Sequence, residues 1–416
     1  MKLPFVNERP GVWAAAEAPI HEPAGRVQSF DSFRARSYVN ALDGLRAVSI
    51  LLVLFHHVPR YSAQHFLHTL QENGRYGVSF FFVISGFLIC TLFLREEEKT
   101  GRIDLWRFYG RRALRLLPLY YLALCLHAIL VFGLGQYTLE NQALFKEKLP
   151  AYLFYYSNWL ATATQGPFFF AWSLAVEEQF YLVFGLLLFF ASRRVVIGAA
   201  LAALLVKAAV YGLFGNMDVN STLWRVVFSY QEPVLLGVLA AFALNCREGY
   251  RFFRRWLGPS RAPACLGAAT SAWICVHAMR SQSWWDAQLL YLLMTLTLVG
   301  LVIRPATPVL GGRFMTHVGQ ISYGIYLLHM MVISSAKKMP GGTSPALCFF
   351  FSSITVIIVA SLVYKYFEHP IIRFYKKKLS PLDPGTAARV LATTAALAAS
   401  PADSPNNIAK APSGAT

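Results

Sequence analysis

Long apolar runs recur along this chain of 416 residues, and they leave few folds open to it. A run of about 20 apolar residues can cross the hydrocarbon core of a bilayer as a helix. We find ten such runs, at residues 44–59, 76–94, 113–134, 170–190, 195–214, 227–245, 263–279, 287–303, 319–336 and 346–366. The sequence therefore predicts an all-α, polytopic membrane protein with about ten transmembrane helices in a bundle.

The composition agrees with a membrane protein. Hydrophobic residues make up 56% of the chain and charged residues only 14%, which is too little charge to cover a soluble domain. The formal net charge of +17 would suggest a nucleic-acid partner in a soluble protein, but here most of the excess flanks the apolar runs. We therefore expect the lipid bilayer as a partner and no nucleic acid. The six cysteines contain no CxxC pair, so we predict neither a disulfide framework nor a metal site.

The loops between the apolar runs fall into two alternating sets with unequal positive charge. The set that includes residues 95–112 and 373–378 carries more than twice as many Lys and Arg residues as the other set. The positive-inside rule places the richer set in the cytoplasm. With ten crossings, both termini are then cytoplasmic. The start of the chain lacks a continuous apolar core, so we do not expect a cleaved signal peptide.

Polar segments flank the membrane domain, which we expect at residues 41–378. Residues 1–40 are mixed in character and are predicted to form a flexible cytoplasmic tail. Residues 379–416 are rich in Ala, Pro and Ser without apolar periodicity, and we predict that they are disordered. A further run at 150–160 is too short to cross a bilayer and is typical of a re-entrant or interfacial segment.

The first apolar run carries an arginine and two histidines at fixed separations. Arg46 and His57 are eleven residues apart, so on a regular helix they share a face and lie roughly 16–17 Å apart along its axis. His56 points about 80° away from that face. A histidine so deep in a membrane helix suggests a functional site that Arg46 and His57 line together. The structural alternative is a histidine that is hydrogen-bonded near the end of its helix.

Arginines also stand at the start of the third apolar run. Arg112 and Arg115 are neighbours on one helical face, with apolar residues on both sides of Arg115. Arginines in this position either bind phosphate through their forked guanidinium groups or form the ordinary basic flank of a membrane helix.

Two acidic residues lie inside the fourth apolar run, in its first half. Trp172 is followed by Glu177, Glu178 and Tyr181, and Glu177 and Tyr181 share a helical face. Carboxylates are costly to desolvate without partners, so they indicate either a polar cavity or a structural ion pair, for example with Arg46. We favour the cavity.

Polar side chains also form a stripe on the ninth run, where Ser322, Tyr326 and His329 follow one another at helical spacing. Such groups either join helices by hydrogen bonds or act in catalysis. The last run closes with Glu368 and His369 close to Arg373, which favours a structural cap at its cytoplasmic end.

Taken in order, these motifs resemble the membrane-bound acyltransferase-3 family, which includes O-acyltransferases that act on O-antigen, peptidoglycan, Nod factor and macrolides. The resemblance runs from about residue 42 to 375 and rests on Leu42–Arg46 followed by His57, on Gly77–Ile89, Arg112–Arg115, Trp172–Tyr181, Ile321–His329 and Tyr366–Pro370. It implies a cytoplasmic acyl-CoA donor and, commonly, an acceptor hydroxyl on the other side of the membrane. The arginine–histidine motif of the family maps onto Arg46 and His57, and its RxxR motif onto Arg112 and Arg115.

The chain departs from the family in two respects. Many members carry a histidine two residues before the tryptophan of the Trp-Ser-Leu motif, where this chain has Phe170. Some members carry a C-terminal hydrolase-like domain of the SGNH type, and nothing after Lys378 resembles one. We therefore expect a stand-alone membrane enzyme.

The sequence thus predicts an O-acyltransferase of a bacterial inner (cytoplasmic) membrane. It would move an acyl group, with acetyl-CoA as the expected donor, to a hydroxyl of a carbohydrate or glycolipid acceptor. His57 would act as a general base or accept the acyl group transiently. The alternative function is a transporter or flippase of acylated glycans, which would use the same buried charges as a pathway. The expected residues are His57, Arg46, Glu177 and Glu178 for catalysis, Arg112 and Arg115 for acyl-CoA binding, and Trp172, Tyr181, Ser322, Tyr326 and His329 for substrate binding.

Overall fold

The computed structural model describes residues 27–36, 40–101, 103–135, 137–214, 222–259, 261–276, 283–305 and 309–379. Every regular element in these ranges is helical. The helices are α1 (Phe30–Ala35), α2 (Asn40–His57), α3 (Leu67–Asn73), α4 (Tyr76–Thr100), α5 (Leu105–Ala128), α6 (Leu139–Leu153), α7 (Ala171–Phe190), α8 (Arg193–Phe214), α9 (Thr222–Val227), α10 (Glu232–Leu244), α11 (Arg247–Leu257), α12 (Ala262–Val276), α13 (Trp284–Ile303), α14 (Arg313–Gln320), α15 (Ser322–Ala336), α16 (Pro345–Val363) and α17 (His369–Leu379). Short π-helical turns follow α5 at Ile129–Gly133 and α16 at Tyr364–Glu368.

Among the described residues, seven helical stretches are long and apolar enough to cross a membrane. They are Tyr76–Thr100, Leu105–Gly133, Ala171–Phe190, Arg193–Phe214, Leu223–Leu244, Trp284–Ile303 and Pro345–Phe374. The predicted all-α, multi-spanning class is therefore confirmed. Residues 150–160 form no long helix, because α6 ends at Leu153 and only a single 3-10 turn follows.

Three of the ten predicted spans take other forms. The helix α2 has 18 residues but includes Asp43 and Arg46, which lower its mean hydropathy. The helix α12 has 15 residues, and the predicted span 319–336 is divided at Ile321 between α14 and α15. The total of ten crossings stays a prediction.

The helix α4 packs closely against α10, and glycines make this close approach possible. Gly86 of α4 faces the Val234 carbonyl, and Gly237 of α10 faces the Val83 carbonyl, so a Cβ atom at either glycine would collide with backbone. Small residues allow such close helix crossings in membrane proteins. Contacts with α2, α7 and α13 surround the rest of α4 and place this helix at the centre of the bundle.

The prediction of a flexible tail at residues 1–40 is wrong for residues 27–36. This segment contains α1, whose first turn is capped by the Ser29 side chain, which accepts a hydrogen bond from the Ser32 amide at 3.0 Å. Phe33 is buried and stacks on Tyr250 of α11, with ring centroids 5.4 Å apart. A six-residue helix shows no apolar period and depends on such tertiary packing, so the sequence pattern could not reveal it. The rest of the predicted N-terminal tail up to residue 26, and the predicted C-terminal tail from residue 380, lie outside the described residues.

Candidate active site

A cavity of about 180 Å³ lies among α2, α4, α5, α7 and α15. One broad stripe of α4 lines it, formed by Val78, Phe81, Phe82, Ile84, Ser85, Phe87, Leu88, Thr91, Leu92 and Arg95. The distance along a helix from residue 78 to residue 95 is roughly 26 Å, which approaches the hydrocarbon thickness of a bilayer of about 30 Å. The cavity is therefore elongated along α4, and we refer to its Arg95 end and its Val78 end.

Charged side chains line this cavity in unusual number for a membrane interior. Arg112 lies with its guanidinium carbon 4.2 Å from the centroid of the Tyr181 ring, and its Nε is buried without a hydrogen-bond partner. Leaving a buried donor unsatisfied is costly, so the site is suited to an acceptor that the protein itself does not supply. Among the described residues, the charged lining consists of five arginines, Arg36, Arg46, Arg95, Arg112 and Arg115, and three carboxylates, Asp43, Glu177 and Glu368.

A hydrogen-bonded group of three side chains occupies the middle of the α4 stripe. The Ser85 hydroxyl donates to Glu177 Oε1 at 2.5 Å, and the Tyr181 hydroxyl donates to the same oxygen. Glu177 and Tyr181 thus share a face of α7, as their spacing predicts. Glu177 lines the cavity, and Arg46 lies 4.0 Å from Asp43 on its own helix. Of the two alternatives for the acidic residues, a polar cavity and an ion pair with Arg46, the structure therefore shows the cavity for Glu177.

The helix α15 contributes two of the predicted residues to the cavity. The Tyr326 hydroxyl lies 2.6 Å from Ser173 Oγ and donates to the Phe170 carbonyl at 3.0 Å. Ser322 is buried and also lines the cavity, and its Oγ makes no hydrogen bond. Tyr326 therefore joins two helices, and Ser322 offers a hydroxyl to the cavity.

Histidines gather beyond Tyr326. The His329 ring is centred 5.4 Å from that of Tyr326 and 5.0 Å from that of His57. Arg46 lines the cavity, but His57 and His329 are not among its lining residues, so the expectation that Arg46 and His57 line one cavity is met only for Arg46. Ring contacts connect the cavity-lining Tyr326 to His329, and His329 to His57.

The two adjacent histidines of α2 point to different neighbours. His56 Nδ1 lies 2.9 Å from the Gln71 carbonyl on α3, whereas His57 faces His329 on α15. This divergence is the one that helical phase predicts. His57 Nδ1 lies 2.8 Å from the Val53 carbonyl, and because a carbonyl only accepts, Nδ1 carries a hydrogen. In the neutral imidazole this contact leaves the lone pair on Nε2.

Besides His329, a second histidine is fully buried among the described residues, and it was not singled out from the sequence. His127 is fully buried, its Nδ1 lies 2.9 Å from the Ala123 carbonyl, and its ring is centred 5.6 Å from that of Phe170. The Nε2 atoms of His127 and His329 are both buried without a partner. The position of His127 deep in a long apolar run could have marked it as a candidate functional residue, as the same feature marked His57. Phe170, which replaces a histidine that is common in the family pattern, packs against both rings.

Three further residues occupy positions that differ from those that their predicted roles suggest. Trp172 does not line the cavity and packs edge-on against Phe82, with centroids 6.3 Å apart. Glu178 is not among the lining residues, although it lies within electrostatic range of Tyr323, which does line the cavity. Glu368, which the sequence favours as a structural cap, lines the cavity and keeps Oε1 buried without a hydrogen bond. Within the described residues, no three His, Cys, Asp or Glu side chains converge to hold a metal ion.

The fold and site define a multi-spanning membrane protein whose buried, arginine-lined cavity leads toward clustered histidines. The model of the acyltransferase-3 family, described as an acyltransferase domain, matches residues 39–365, and the chain belongs to this family. The transport alternative receives no support, since the matching family and the relatives below are named for acyl transfer.

Curated relatives agree with this family. A protein of Staphylococcus aureus strain COL, provisionally named an O-acetyltransferase, is 27% identical over 372 residues, which cover 83% of this chain and 59% of the relative. The O-acetyltransferase OatA of S. aureus strain NCTC 8325 is 26% identical over 360 residues, covering 80% of this chain and 57% of OatA. The chain thus spans under two thirds of the length of these relatives. No solved structure matches it.

Proposed function

We propose that the protein is an acyl-CoA-dependent O-acyltransferase that moves an acetyl or other short acyl group to a hydroxyl of a carbohydrate or glycolipid. The cavity carries the proposal, because its five arginines outnumber its three carboxylates and it extends deep along α4. Coenzyme A has phosphate groups at one end and a thioester at the end of a long arm. An arginine-rich cavity of this shape suits such a donor.

The orientation of the cavity follows from the distribution of positive charge. The loop that follows α4 and the segment at the end of α17 belong to the Lys- and Arg-rich set, so the Arg95 end of the cavity faces the cytoplasm in this proposal. With ten crossings, both termini are cytoplasmic in this proposal. The membrane that we propose is the inner (cytoplasmic) membrane of a bacterium. The donor would then enter from the compartment that contains acyl-CoA.

Arg112 and Arg115 are proposed to bind donor phosphate. They lie one turn apart on α5 and both line the cavity. The unsatisfied Nε of Arg112 supports this role, since a guanidinium can engage a phosphate through two parallel hydrogen bonds.

His57 is proposed as the catalytic histidine. Its Nε2 lone pair would take the proton of the acceptor hydroxyl while the acceptor oxygen bonds to the thioester carbon and the C–S bond breaks, releasing CoA. Alternatively, Nε2 first bonds to the thioester carbon while the C–S bond breaks and CoA leaves. The acceptor oxygen then bonds to that carbon while the N–C bond breaks, and the acceptor proton passes to the freed imidazole. Because His57 stands behind Tyr326 and His329 as seen from the cavity, we expect the thioester to approach past these side chains and the acceptor to arrive from the opposite side.

Glu177 is proposed to orient the bound donor by its fixed position and its negative charge. Ser85 and Tyr181 both donate to its Oε1, which fixes the carboxylate beside the arginine-bearing face of α5. In this position it would orient the donor arm near the guanidinium of Arg112. Glu178, on a different face of α7, would influence the same region only through its charge.

The test is a thiol-release assay on the protein purified in detergent. With acetyl-CoA and a mixture of candidate sugar acceptors, an acyltransferase releases free CoA without any membrane gradient, and His57→Ala abolishes the release. Absence of CoA release from acetyl-, propionyl- and butyryl-CoA under these conditions would refute the proposed donor. Mass spectrometry of glycans from cells with and without the gene would identify the acceptor as the one that loses an acyl group.

Reporter fusions placed after residue 378 test the orientation separately. We expect them to be active only as cytoplasmic reporters. An exclusively extracytoplasmic signal would reverse the cavity and exclude a cytoplasmic donor at its Arg95 end.

A further inference from the structure

The helix α11 lies where two membrane-spanning segments end. It follows α10, whose span ends at Leu244, and it contacts α13, whose span ends at Ile303. The Arg304 side chain, just after α13, donates to the Gly258 carbonyl at 3.2 Å, just after α11. Because the ends of apolar spans mark the boundary of the hydrocarbon core, α11 lies at the level of the membrane surface on this side of the bundle.

The residues of α11 divide this helix into three faces. At about 100° per residue, the centres of these faces lie roughly 120° apart around the helix axis. One face is apolar and packs on the protein, one is basic and one is aromatic. We call them the inner face, the arginine face and the aromatic face, and they are formed by Tyr250, Phe253 and Leu257, by Arg251, Arg254 and Arg255, and by Phe252 and Trp256.

The inner face fixes α11 to the protein. Tyr250 is buried, stacks on Phe33 of α1 with ring centroids 5.4 Å apart and donates its hydroxyl to the Gln28 carbonyl at 3.1 Å. Gly249 lies so close to the Ala243 carbonyl of α10 that a Cβ atom would collide with it. Phe33 also lines the cavity, so α11 supports an element of the candidate active site. The arginine face and the aromatic face are therefore held in fixed directions.

The aromatic face is exposed although it carries two large rings. Phe252 is 59% exposed and Trp256 is 65% exposed, and the two lie one helical turn apart. Tryptophan is enriched at the interface between membrane and water, where its ring lies at the level of the lipid headgroups. At the membrane surface, this face of α11 therefore suits contact with the outer part of the bilayer.

The arginine face carries positive charge that the protein does not pair. All three of its residues are exposed, and within the described parts of the chain none of them forms an ion pair. Arg251 lies within electrostatic range of Glu248, one turn away, whereas Arg247 at the start of the helix pairs with Asp31 at 3.6 Å. Exposed arginines at the level of the headgroups attract lipids with net negative charge.

We propose that α11 binds anionic phospholipid, with its aromatic face among the lipids and its arginine face on their headgroups. Amphipathic helices with basic residues on one face and Trp or Phe on another bind membrane surfaces in this way. A zwitterionic headgroup carries its own ammonium group, which offsets its phosphate. An anionic headgroup such as phosphatidylglycerol presents net negative charge to the arginine face. This inference does not depend on the proposed acyl transfer.

The test measures the contact between Trp256 and lipid in the full-length protein. Nanodiscs of phosphatidylcholine receive equal mole fractions of either brominated phosphatidylglycerol or brominated phosphatidylcholine, whose bromine atoms quench tryptophan fluorescence at short range. The difference between wild type and Trp256→Phe gives the signal of Trp256 alone. We expect both lipids to quench Trp256, with an association constant at least about tenfold higher for phosphatidylglycerol.

Arg255→Gln and Arg247→Gln form a matched pair on the same helix, because Arg255 has no ion pair and the charge of Arg247 is offset by Asp31. Arg255→Gln should lower the preference for phosphatidylglycerol about fivefold, and Arg247→Gln should lower it by less than about twofold. Lysine in place of Arg254 and Arg255 should retain most of the preference, since it keeps the positive charge.

Three outcomes would overturn the proposal. Equal quenching of Trp256 by the two lipids in the wild type would refute selectivity for anionic lipid. Quenching by neither lipid would show that something other than lipid, such as a second copy of the chain, covers the aromatic face. Equal falls in Arg255→Gln and Arg247→Gln would show that the net charge of the protein, and not the arginine face, sets the preference. None of these measurements uses CoA release, so a failure of the proposed function would be seen separately.

Discussion

Two buried groups of charges in this protein are built in opposite ways. In the first, which we call the closed cluster, Lys207 of α8 lies 3.1 Å from Glu232 of α10 and also donates to the Tyr230 carbonyl at 3.0 Å. Glu232 accepts further hydrogen bonds from Trp284 at 3.1 Å and Gln288 at 3.4 Å. The second is the arginine-lined cavity, where Arg112 Nε, Ser322 Oγ and Glu368 Oε1 are buried without hydrogen bonds.

The difference between these two groups indicates what each is for. A buried charge is tolerated when its hydrogen-bonding capacity is met, and the closed cluster meets it with side chains and carbonyls from neighbouring segments. The cavity leaves buried donors and acceptors unsatisfied, which costs stability unless a ligand pairs with them. We therefore expect substitutions in the closed cluster to change stability and substitutions around the cavity to change activity.

The largest expected effect on activity is at His57. His57→Ala should lower kcat by about 10²–10⁴-fold, the usual cost of losing a general base, with normal expression and membrane insertion. His56→Ala should retain most activity, because His56 is bound to the Gln71 carbonyl on α3. The measurement is CoA release by each purified variant at saturating donor. An inactive His56→Ala beside an active His57→Ala would contradict the assignment drawn from helical phase.

The closed cluster gives the largest expected effect on stability. Lys207→Met leaves the Glu232 carboxylate buried without its cation and should lower the free energy of unfolding by about 3–5 kcal/mol. Arg193→Met is the matched control, since it breaks the ion pair with Glu97, whose side chain is 39% exposed, and should cost about 0–1 kcal/mol. Thermal unfolding in detergent compares the two variants. If Lys207→Met and Arg193→Met lowered the free energy of unfolding equally, the closed cluster would be no more important for stability than the exposed ion pair between Arg193 and Glu97.

Removing an arginine from the cavity should weaken donor use while leaving stability largely intact. We expect Arg115→Ala to raise the Kd for CoA about 10- to 100-fold, since a guanidinium–phosphate contact is charge-assisted. Arg115→Lys should restore only part of the affinity, because an ammonium lacks the bidentate fork. Calorimetric titration with CoA measures both variants. Unchanged affinity in Arg112→Ala and in Arg115→Ala would exclude their role in binding the donor.

The smallest effects separate α7 residues that line the cavity from those that do not. Tyr181→Phe removes the hydroxyl that donates to Glu177 and should lower kcat/KM several-fold, by about the net value of one hydrogen bond. Trp172→Phe keeps an aromatic ring against Phe82 outside the cavity and should change kcat/KM by less than about threefold. Steady-state kinetics at subsaturating donor detect both changes. A larger loss in Trp172→Phe would place this residue in the substrate path.

Much of the fold could be predicted because membrane helices are specified locally. The long apolar runs of α4, α5, α7, α8 and α13 recur in the structure near their predicted limits, since an apolar run in a bilayer must satisfy its backbone hydrogen bonds within itself. The same reasoning marked Glu177 and Tyr181, whose shared face follows from their spacing alone. It also separated His56 from His57, because helical phase depends only on residue number.

Tertiary structure decided which of these side chains meet. The placement of His57 behind Tyr326 and His329 depends on how α2 and α15 pack, which no spacing within either helix specifies. The inward position of Glu368 depends on the π-helical turn between α16 and α17, which shifts the phase of that segment. The helix α1 and Arg36, which follows its end, join the cavity only because Phe33, Gln28 and Arg34 find partners on distant helices. Such contacts between remote parts of the chain leave no periodic trace in the sequence, so they became visible only once the helices were assembled.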